Sequence, residues 1–354
     1  PCARTMFILD RGEYDSPNSE VKAAPPVSIL PFPDDQPNNR LALGEWLFDG
    51  KHPLTARVAV NRYWQMLFGQ GLVKTPQDFG VQGALPSHPE LLDWLAVEFK
   101  ENNWDTKALL KTIVMSATYR QSSHQTVAKQ EMDPENVYLS YGPSYRLSAE
   151  MIRDNALAAS GLLVDKVGGP SVKPYQPDGL WIELGNFSHE LLTYQQNSGD
   201  SLYRRSLYTF IRRTSPPPAM TVFDAPNRDV CTVQRERTNT PLQALVLLND
   251  PQYVEAARVL AQRLMIKYPS NLDQQIEDAF RAITSRKPND QEQALFKELF
   301  EQQKQFFANK PQEAKALLKV GEYPTEQALD PVRSAAMAMV TSTMLNHDGA
   351  YMKR

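Results

Sequence analysis

The feature that most constrains this 354-residue sequence is a series of helix-start signals spread along the chain. Each signal places a Ser, Thr, Asp or Asn, whose side chain can accept a hydrogen bond from a free backbone N–H, just before a run of periodic apolar residues. In three of them, at Ser87, Thr240 and Asn289, Glu or Gln follows three residues later, which is the pattern of a capping box. The signals begin at Ser87, Asp105, Ser148, Thr240, Asp250, Asn289 and Asp330. They predict a protein built mainly from helices.

Signals for β-strands are few. The apolar or aromatic runs Thr5–Leu9 and Leu207–Ile211 predict strands. Six prolines between residues 16 and 39 exclude a regular helix there and predict an extended segment. The predicted fold is therefore mainly α, a helical domain with a small β element and long Pro-rich loops.

The sequence divides into four segments, which we expect to form one compact domain. Residues 1–40 hold a strand and the extended Pro-rich segment, and residues 41–125 are helical. Residues 126–240 mix loops and strand around an Arg-rich centre. Residues 241–354 form a C-terminal helical region.

Composition limits the possible functions. A net charge of −3 and a pI near 6.0 argue against a general nucleic-acid binder, which would be basic. No apolar run approaches the ~18 residues of a membrane span. The five His are scattered, and there is no C-x-x-C motif. We therefore expect no metal site and no cofactor in this chain.

Local charge is the best clue to a ligand. Between residues 203 and 239 the chain has seven Arg against two Asp and one Glu. Guanidinium groups grip carboxylate, sulfate or phosphate through paired hydrogen bonds, so a site for an anionic ligand is one interpretation. Its candidate residues are Arg212, Arg213, Arg228, Arg235, Arg237 and Asn239. The other interpretation is that these arginines pair with acids and pin loops.

Three residues are candidates for catalysis. Asp224 and Asp229 could divide the roles of acid and base, or they could be ordinary turn and cap residues. His88 precedes Pro89 at a predicted helix start, where the dipole disfavours a charged imidazole. A neutral His88 could accept a proton, or it could simply pack on the preceding loop. Whether the chain is an enzyme stays open.

Several long motifs resemble one bacterial family, and they occur in that family's order. They are Asn61–Gly80, Pro86–Leu95, Ser116–Ser122, Arg204–Phe210, Phe223–Pro226 and Thr238–Pro251. The family is a domain of unknown function found at the C-terminal end of exported planctomycete-type cytochrome c multidomain proteins. The resemblance implies a haem-binding cytochrome c domain and a companion domain upstream, with export to the periplasm or cell envelope. Haem is implied only in the upstream domain.

Two hypotheses for function follow. In the first, the chain is a module of uncharacterised function that binds or processes an anionic polysaccharide. In the alternative, it is a non-catalytic docking or structural module that seats the haem domain or a partner protein. The pairing of the arginines discriminates between them, because an open cluster of unpaired arginines favours a ligand site.

Overall fold

A computed structural model of the protein describes residues 4–182 and 193–353. The described residues contain fifteen α-helices and two small two-stranded sheets, joined by loops. The predicted mainly α fold with a small β element is therefore confirmed. The chain divides into two compact units, Pro1–Pro143 and Ser144–Arg354. The boundary falls inside the segment 126–240, and the four-segment division stays a prediction.

The first unit begins with a β-hairpin. Strand β1 (Met6–Leu9) pairs antiparallel with β2 (Pro17–Val21), and Met6 lies opposite Val21. This confirms the strand predicted at Thr5–Leu9. Six helices follow: α1 (Arg40–Leu47), α2 (Thr55–Phe68), α3 (Pro89–Glu101), α4 (Thr106–Met115), α5 (Ala117–Arg120) and α6 (Val127–Met132).

The core of the first unit forms where α2 packs on α3. On α2 the buried residues Val60, Trp64 and Phe68 recur every fourth position, so they share one face of the helix. The rings of Trp64 and Phe68 stack with their centroids 4.1 Å apart. Burying each such side chain stabilises the fold by about 1.5–3 kcal/mol. Gly69 ends α2 in a left-handed conformation that favours glycine, as the sequence predicts.

The second unit contains the remaining nine described helices and a short sheet. Strand β3 (Tyr145–Arg146) pairs antiparallel with β4 (Met352–Lys353). The helices are α7 (Ala149–Ser160), α8 (Pro218–Val222), α9 (Pro241–Asn249), α10 (Pro251–Lys267), α11 (Leu272–Thr284), α12 (Asp290–Asn309), α13 (Pro311–Leu317), α14 (Pro331–Leu345) and α15 (Asp348–Tyr351).

Helices α10 and α14 form the centre of the second unit, and both are buried over most of their length. Small residues on α14, such as Ala335 and Ala338, let the two backbones approach closely. Thr341 of α14 donates a hydrogen bond across this contact to the carbonyl of Ala257, at 2.8 Å. The same core buries Glu255 of α10, which accepts a hydrogen bond from the Tyr203 hydroxyl at 3.0 Å.

Two local predictions are wrong. The run Leu207–Ile211 is not a strand, because a 3₁₀ helix occupies Ser206–Tyr208. The carboxylate of Asp154 accepts hydrogen bonds from both the backbone N–H and the hydroxyl of Ser206, which holds the chain in this turn. Ser87 does not cap α3 either. His88 is the N-cap residue, and the Ser87 hydroxyl instead contacts His88 Nδ1 at 2.9 Å.

The other helix starts are confirmed. Complete capping boxes begin α9 at Thr240 and α12 at Asn289. Asp250 caps α10 through a hydrogen bond from the N–H of Gln252, at 3.0 Å. Within residues 4–182 and 193–353, no helix combines the length and apolar character that a membrane crossing requires.

Candidate functional site

The Arg-rich loop of the second unit spans residues 224–238. One carboxylate, that of Asp224, joins its two ends, and we call the place where they meet the neck of the loop. Asp224 follows helix α8 with φ +59, a left-handed conformation that Asp tolerates better than most residues. Its carboxylate accepts a hydrogen bond from Arg146 Nη2 at 2.5 Å and another from the N–H of Thr238 at 2.8 Å. The Thr238 hydroxyl adds a contact at 3.0 Å. Asp224 therefore joins the two ends of the loop.

Arg146 of β3 completes this neck from the inside of the unit. Its Nε donates to the carbonyl of Thr238 at 3.1 Å, and its Nη1 donates to the carbonyl of Phe223 at 3.2 Å. The Arg146 and Asp224 side chains are only 6% and 16% exposed. A charge-assisted pair this buried is costly to break, because the remaining partner keeps an uncompensated charge. The predicted acid Asp224 thus acts as a loop clamp.

A side chain of helix α9 adds further hydrogen bonds at the neck of the loop. The side chain of Gln243 donates to the carbonyl of Val222 at 2.9 Å and to the carbonyl of Thr238 at 3.2 Å. Gln243 is also the third residue of helix α9, and it forms the capping box together with Thr240. The end of the loop and the start of α9 are therefore fixed together.

Two of the predicted binding arginines lie against strand β3 and helix α7. Arg235 Nη1 donates to Glu150 Oε2 of α7 at 2.6 Å. Burial raises the pKa of Glu150, but the hydrogen bond and charge of Arg235, together with hydrogen bonds from a backbone N–H and from Ser148, lower that pKa overall. The guanidinium of Arg237 lies over the ring of Tyr145, 4.4 Å from its centroid. Both arginines therefore help to pin the loop.

The other predicted residues of this region differ in exposure, since Arg212 is half-buried. The guanidinium of Arg212 lies 5.1 Å from the ring centroid of Trp181 and donates to the Thr214 hydroxyl at 3.1 Å. Arg213, Arg228 and Asn239 have exposed side chains. Asp229 is exposed as well, and its N–H donates to the side chain of Asn227 at 3.3 Å. Arg228 and Asp229 lie on the loop itself, whereas Arg212 and Arg213 precede helix α8.

The third predicted catalytic residue belongs to the first unit. His88 is half-buried at the start of α3, and its ring lies 6.4 Å from that of Tyr138, edge to face. Asp224 and Asp229 belong to the second unit. Catalysis by any of the three stays a prediction.

Sequence reasoning missed several buried arginines, among them Arg153 and Arg204. Arg153 is 2% exposed, and on α7 it occupies a position of the apolar stripe between Ile152 and Ala156. A charged residue at such an inward position is a signal that the sequence does carry. Arg204 is also buried, and its Nη2 donates to the carbonyl of Gly168 at 2.6 Å. Both arginines donate hydrogen bonds to backbone carbonyls of segments that lie outside the α-helices and strands.

Arg153 holds the chain that follows the undescribed residues 183–192. Its Nη1 donates to the carbonyl of Arg204 at 2.7 Å, and its Nη2 donates to the carbonyl of Leu202 at 2.6 Å. Its Nε donates to the side-chain oxygen of Gln252 at the start of α10. Guanidinium suits this position because its fixed fork can serve several carbonyls at once.

A small, partly open pocket of about 20 Å³ lies beside Arg153. Polar residues on its wall include Thr209, Asp250, Gln252 and Tyr253, and prolines form much of the rest. Burial raises the pKa of Asp250, although the Gln252 hydrogen bond and the charge of Arg153 oppose it. Burial also raises the pKa of Tyr253, so its hydroxyl stays protonated at neutral pH. In the described part of the chain, no cluster of three or more His, Cys, Asp or Glu could hold a metal ion.

Comparison with known protein families shows to which family the chain belongs. The sequence profile of PSD1, a protein of unknown function (DUF1553), matches residues 39–300. This covers well over half of the chain, so the protein belongs to the PSD1 family of unknown function, as its motifs predict. No curated protein and no solved structure matches the sequence.

Proposed function

We propose that the protein is a non-catalytic docking module, which seats the haem-binding cytochrome c domain expected upstream in the same exported protein. Helix α9 is the observation that supports this most. Its sequence, PLQALVLLN, is apolar on nearly every side, and helices of that kind are normally buried. Yet Leu242, Leu245 and Leu248 are 56%, 54% and 39% exposed. We call these three residues the leucine face.

The surroundings of the leucine face indicate the chemistry of its partner. The segment 203–239, which leads into α9, has a net charge of +4 in a chain of net charge −3. Stable interfaces combine an apolar centre with a polar rim, and opposite charges on the two rims steer the encounter. The surface that docks here would therefore have an apolar centre and an acidic rim.

The clamped loop also favours docking over catalysis. Arg146 and Asp224 hold both ends of the loop, and Arg235 fixes it to Glu150. A surface ordered before binding loses less conformational entropy when a partner arrives. The same contacts occupy the Asp224 carboxylate, which a catalytic acid or base would need to keep available for substrate.

Calorimetric titration of the separately produced haem domain into this chain tests the proposal. The double variant Leu242→Glu/Leu245→Glu should weaken binding by at least about thirtyfold, because losing a central apolar contact costs about 2 kcal/mol or more. The control is Leu295→Glu on α12, where a leucine of similar exposure lies outside the leucine face. It should bind as the wild type does.

Two results would overturn the docking proposal. One is equal binding by the wild type and the double variant, or no binding by either. The other is self-association of the wild type in sedimentation velocity that the double variant abolishes. In that case the leucine face would join two copies of this chain.

A second candidate function is binding of an anionic polysaccharide by exposed arginines of the segment 203–239. The observation in its favour is that Arg213 and Arg228 are exposed and form no ion pair with any residue in 4–182 or 193–353. Unpaired guanidinium groups in solvent suit sulfate or uronate groups. Processing of the polysaccharide is less well supported than binding, because Asp224 is engaged by Arg146. Both candidates place the protein outside the cytoplasm, in the periplasm or cell envelope.

A further inference from the structure

We propose a second binding site in this protein, independent of the leucine face: the small pocket beside Arg153 binds a neutral ligand through one of the ligand's hydroxyl groups. The ligand class is a sugar or another polyol. The proposal rests on one unpartnered hydroxyl, on the balance of charge around the pocket and on the size of the pocket.

The unpartnered hydroxyl belongs to Thr209, which lines the pocket. Thr209 is 6% exposed, and its buried Oγ1 has no hydrogen-bond partner in the described part of the chain. A buried polar group without a partner costs about 1–3 kcal/mol. A ligand atom that forms a hydrogen bond with Thr209 would remove that cost. This hydrogen bond would therefore contribute to the affinity for the ligand.

The charges around the pocket favour a neutral ligand. Asp250 repels an anion and Arg153 repels a cation, and both residues line the same small space. The three nitrogens of the Arg153 guanidinium already donate to protein oxygens. A hydroxyl group fits this setting because it can donate to Asp250 and accept from Tyr253 or Thr209.

The size of the pocket limits what enters it. A space of about 20 Å³ exceeds the roughly 10–15 Å³ that one water needs, so it admits a hydroxyl or hydroxymethyl group but not a sugar ring. Pro174, Pro177, Pro217 and Pro218 form apolar walls with restricted backbones. The rest of the ligand would stay outside, where it meets residues near the pocket mouth.

Ligand-observed NMR with the intact chain tests the inference. The probes are glycerol, D-glucose and D-galactose as neutral ligands, D-glucuronate as an anion and D-glucosamine as a cation. At least one neutral probe should bind saturably and more tightly than both charged probes. The Thr209→Val variant should bind that probe about threefold to tenfold more weakly, as expected for one lost hydrogen bond. Thr209→Ser, which keeps the hydroxyl, should retain the affinity.

Stability measurements separate binding from folding in this test. Because the Thr209 hydroxyl has no partner among residues 4–182 and 193–353, Thr209→Val should unfold at the same temperature as the wild type or at a higher one. The control is Thr341→Val, which removes a buried hydroxyl that does have partners, including the carbonyl of Ala257. It should lower the unfolding temperature and leave the affinity for the probe unchanged.

Three results would overturn the inference. The first is unchanged affinity in Thr209→Val. The second is tighter binding of glucuronate or glucosamine than of every neutral probe. The third is the absence of saturable binding by any probe, together with a crystal structure in which the pocket holds only an ordered water. None of these outcomes bears on the leucine face, so the docking proposal stands or fails separately.

Discussion

Asp224 and Arg146 are 78 positions apart in the sequence, yet their side chains meet at 2.5 Å and close the Arg-rich loop. Arg146 is buried and Asp224 is mostly buried, and Arg146 also binds backbone carbonyls at both ends of the loop, those of Phe223 and Thr238. One of the three residues predicted as candidates for catalysis is therefore held by structural partners.

Breaking that pair should destabilise the second unit. We expect Asp224→Asn to lower the free energy of unfolding by about 2–3 kcal/mol, since the buried Arg146 would lose its counter-charge. Asn is the right replacement because it tolerates the left-handed backbone at this position. Asp229→Asn, at an exposed position on the same loop, should change stability by less than about 0.5 kcal/mol. Urea denaturation of both variants measures the difference, and equal effects would contradict the clamp.

Two glycines with nearly the same backbone conformation should respond very differently to alanine. Gly168 and Gly321 have φ +81 and +88. A Cβ at Gly168 meets no atom within 4 Å, so Gly168→Ala should cost about 1–2 kcal/mol for the left-handed conformation alone. A Cβ at Gly321 would overlap the buried carboxylate of Glu255. Gly321→Ala should therefore cost about 1–3 kcal/mol more. Calorimetric unfolding would refute this if the two losses matched.

Acid should weaken one ion pair of the second unit in a defined pH window. Arg286 donates two hydrogen bonds to Glu292, and these contacts lower the pKa of Glu292 from 4.5 to about 2. A carboxyl group whose pKa is depressed by folding stabilises the fold above its unfolded pKa, and that stabilisation is lost as the pH falls toward the folded pKa.

The wild type should therefore lose stability relative to Glu292→Gln between pH 4.5 and about 2. The two proteins should differ most above that window. Denaturant titrations at several pH values measure this difference. Glu313→Gln, at an exposed pair with Lys310, is the control and should have little effect at any pH. A pH-independent gap between wild type and Glu292→Gln would rule out the linkage.

The polysaccharide hypothesis makes its own prediction for Arg213 and Arg228. If these exposed arginines bind alginate or chondroitin sulfate, replacing either one by Ala should weaken binding at least about tenfold. The fold should survive both changes, and affinity electrophoresis measures the loss. Arg40→Ala, an exposed position of the first unit, should leave binding unchanged. Variants that lose stability but keep their affinity would identify these arginines as loop clamps.

Local signals predicted much of the fold, because helix starts depend on a few neighbouring residues. Asn289 and Glu292 form the expected capping box, and Ser148 caps α7 as predicted. The strand predicted at Leu207–Ile211 failed for a non-local reason. Ser206 is held by Asp154, which lies 52 positions earlier in the sequence.

The candidate site was harder to predict for the same reason. The sequence indicated correctly that the loop concentrates arginines, and it left open whether they bind a ligand or pin the chain. It could not show that Asp224 pairs with Arg146 or that Arg235 pairs with Glu150, because both pairings join distant segments. Arg153 was missed although its place on the apolar stripe of α7 was readable.

The clamp at the loop neck has a consequence for how this domain can diversify. Asp224, Thr238 and Arg146 fix the two ends of the loop, while the exposed tip at Asn227–Thr232 contributes little to the core. The tip can then change in length or sequence without a change in the scaffold beneath it. In protein engineering terms, the loop is an insertion cassette, into which new recognition sequences can be grafted while the neck residues are kept.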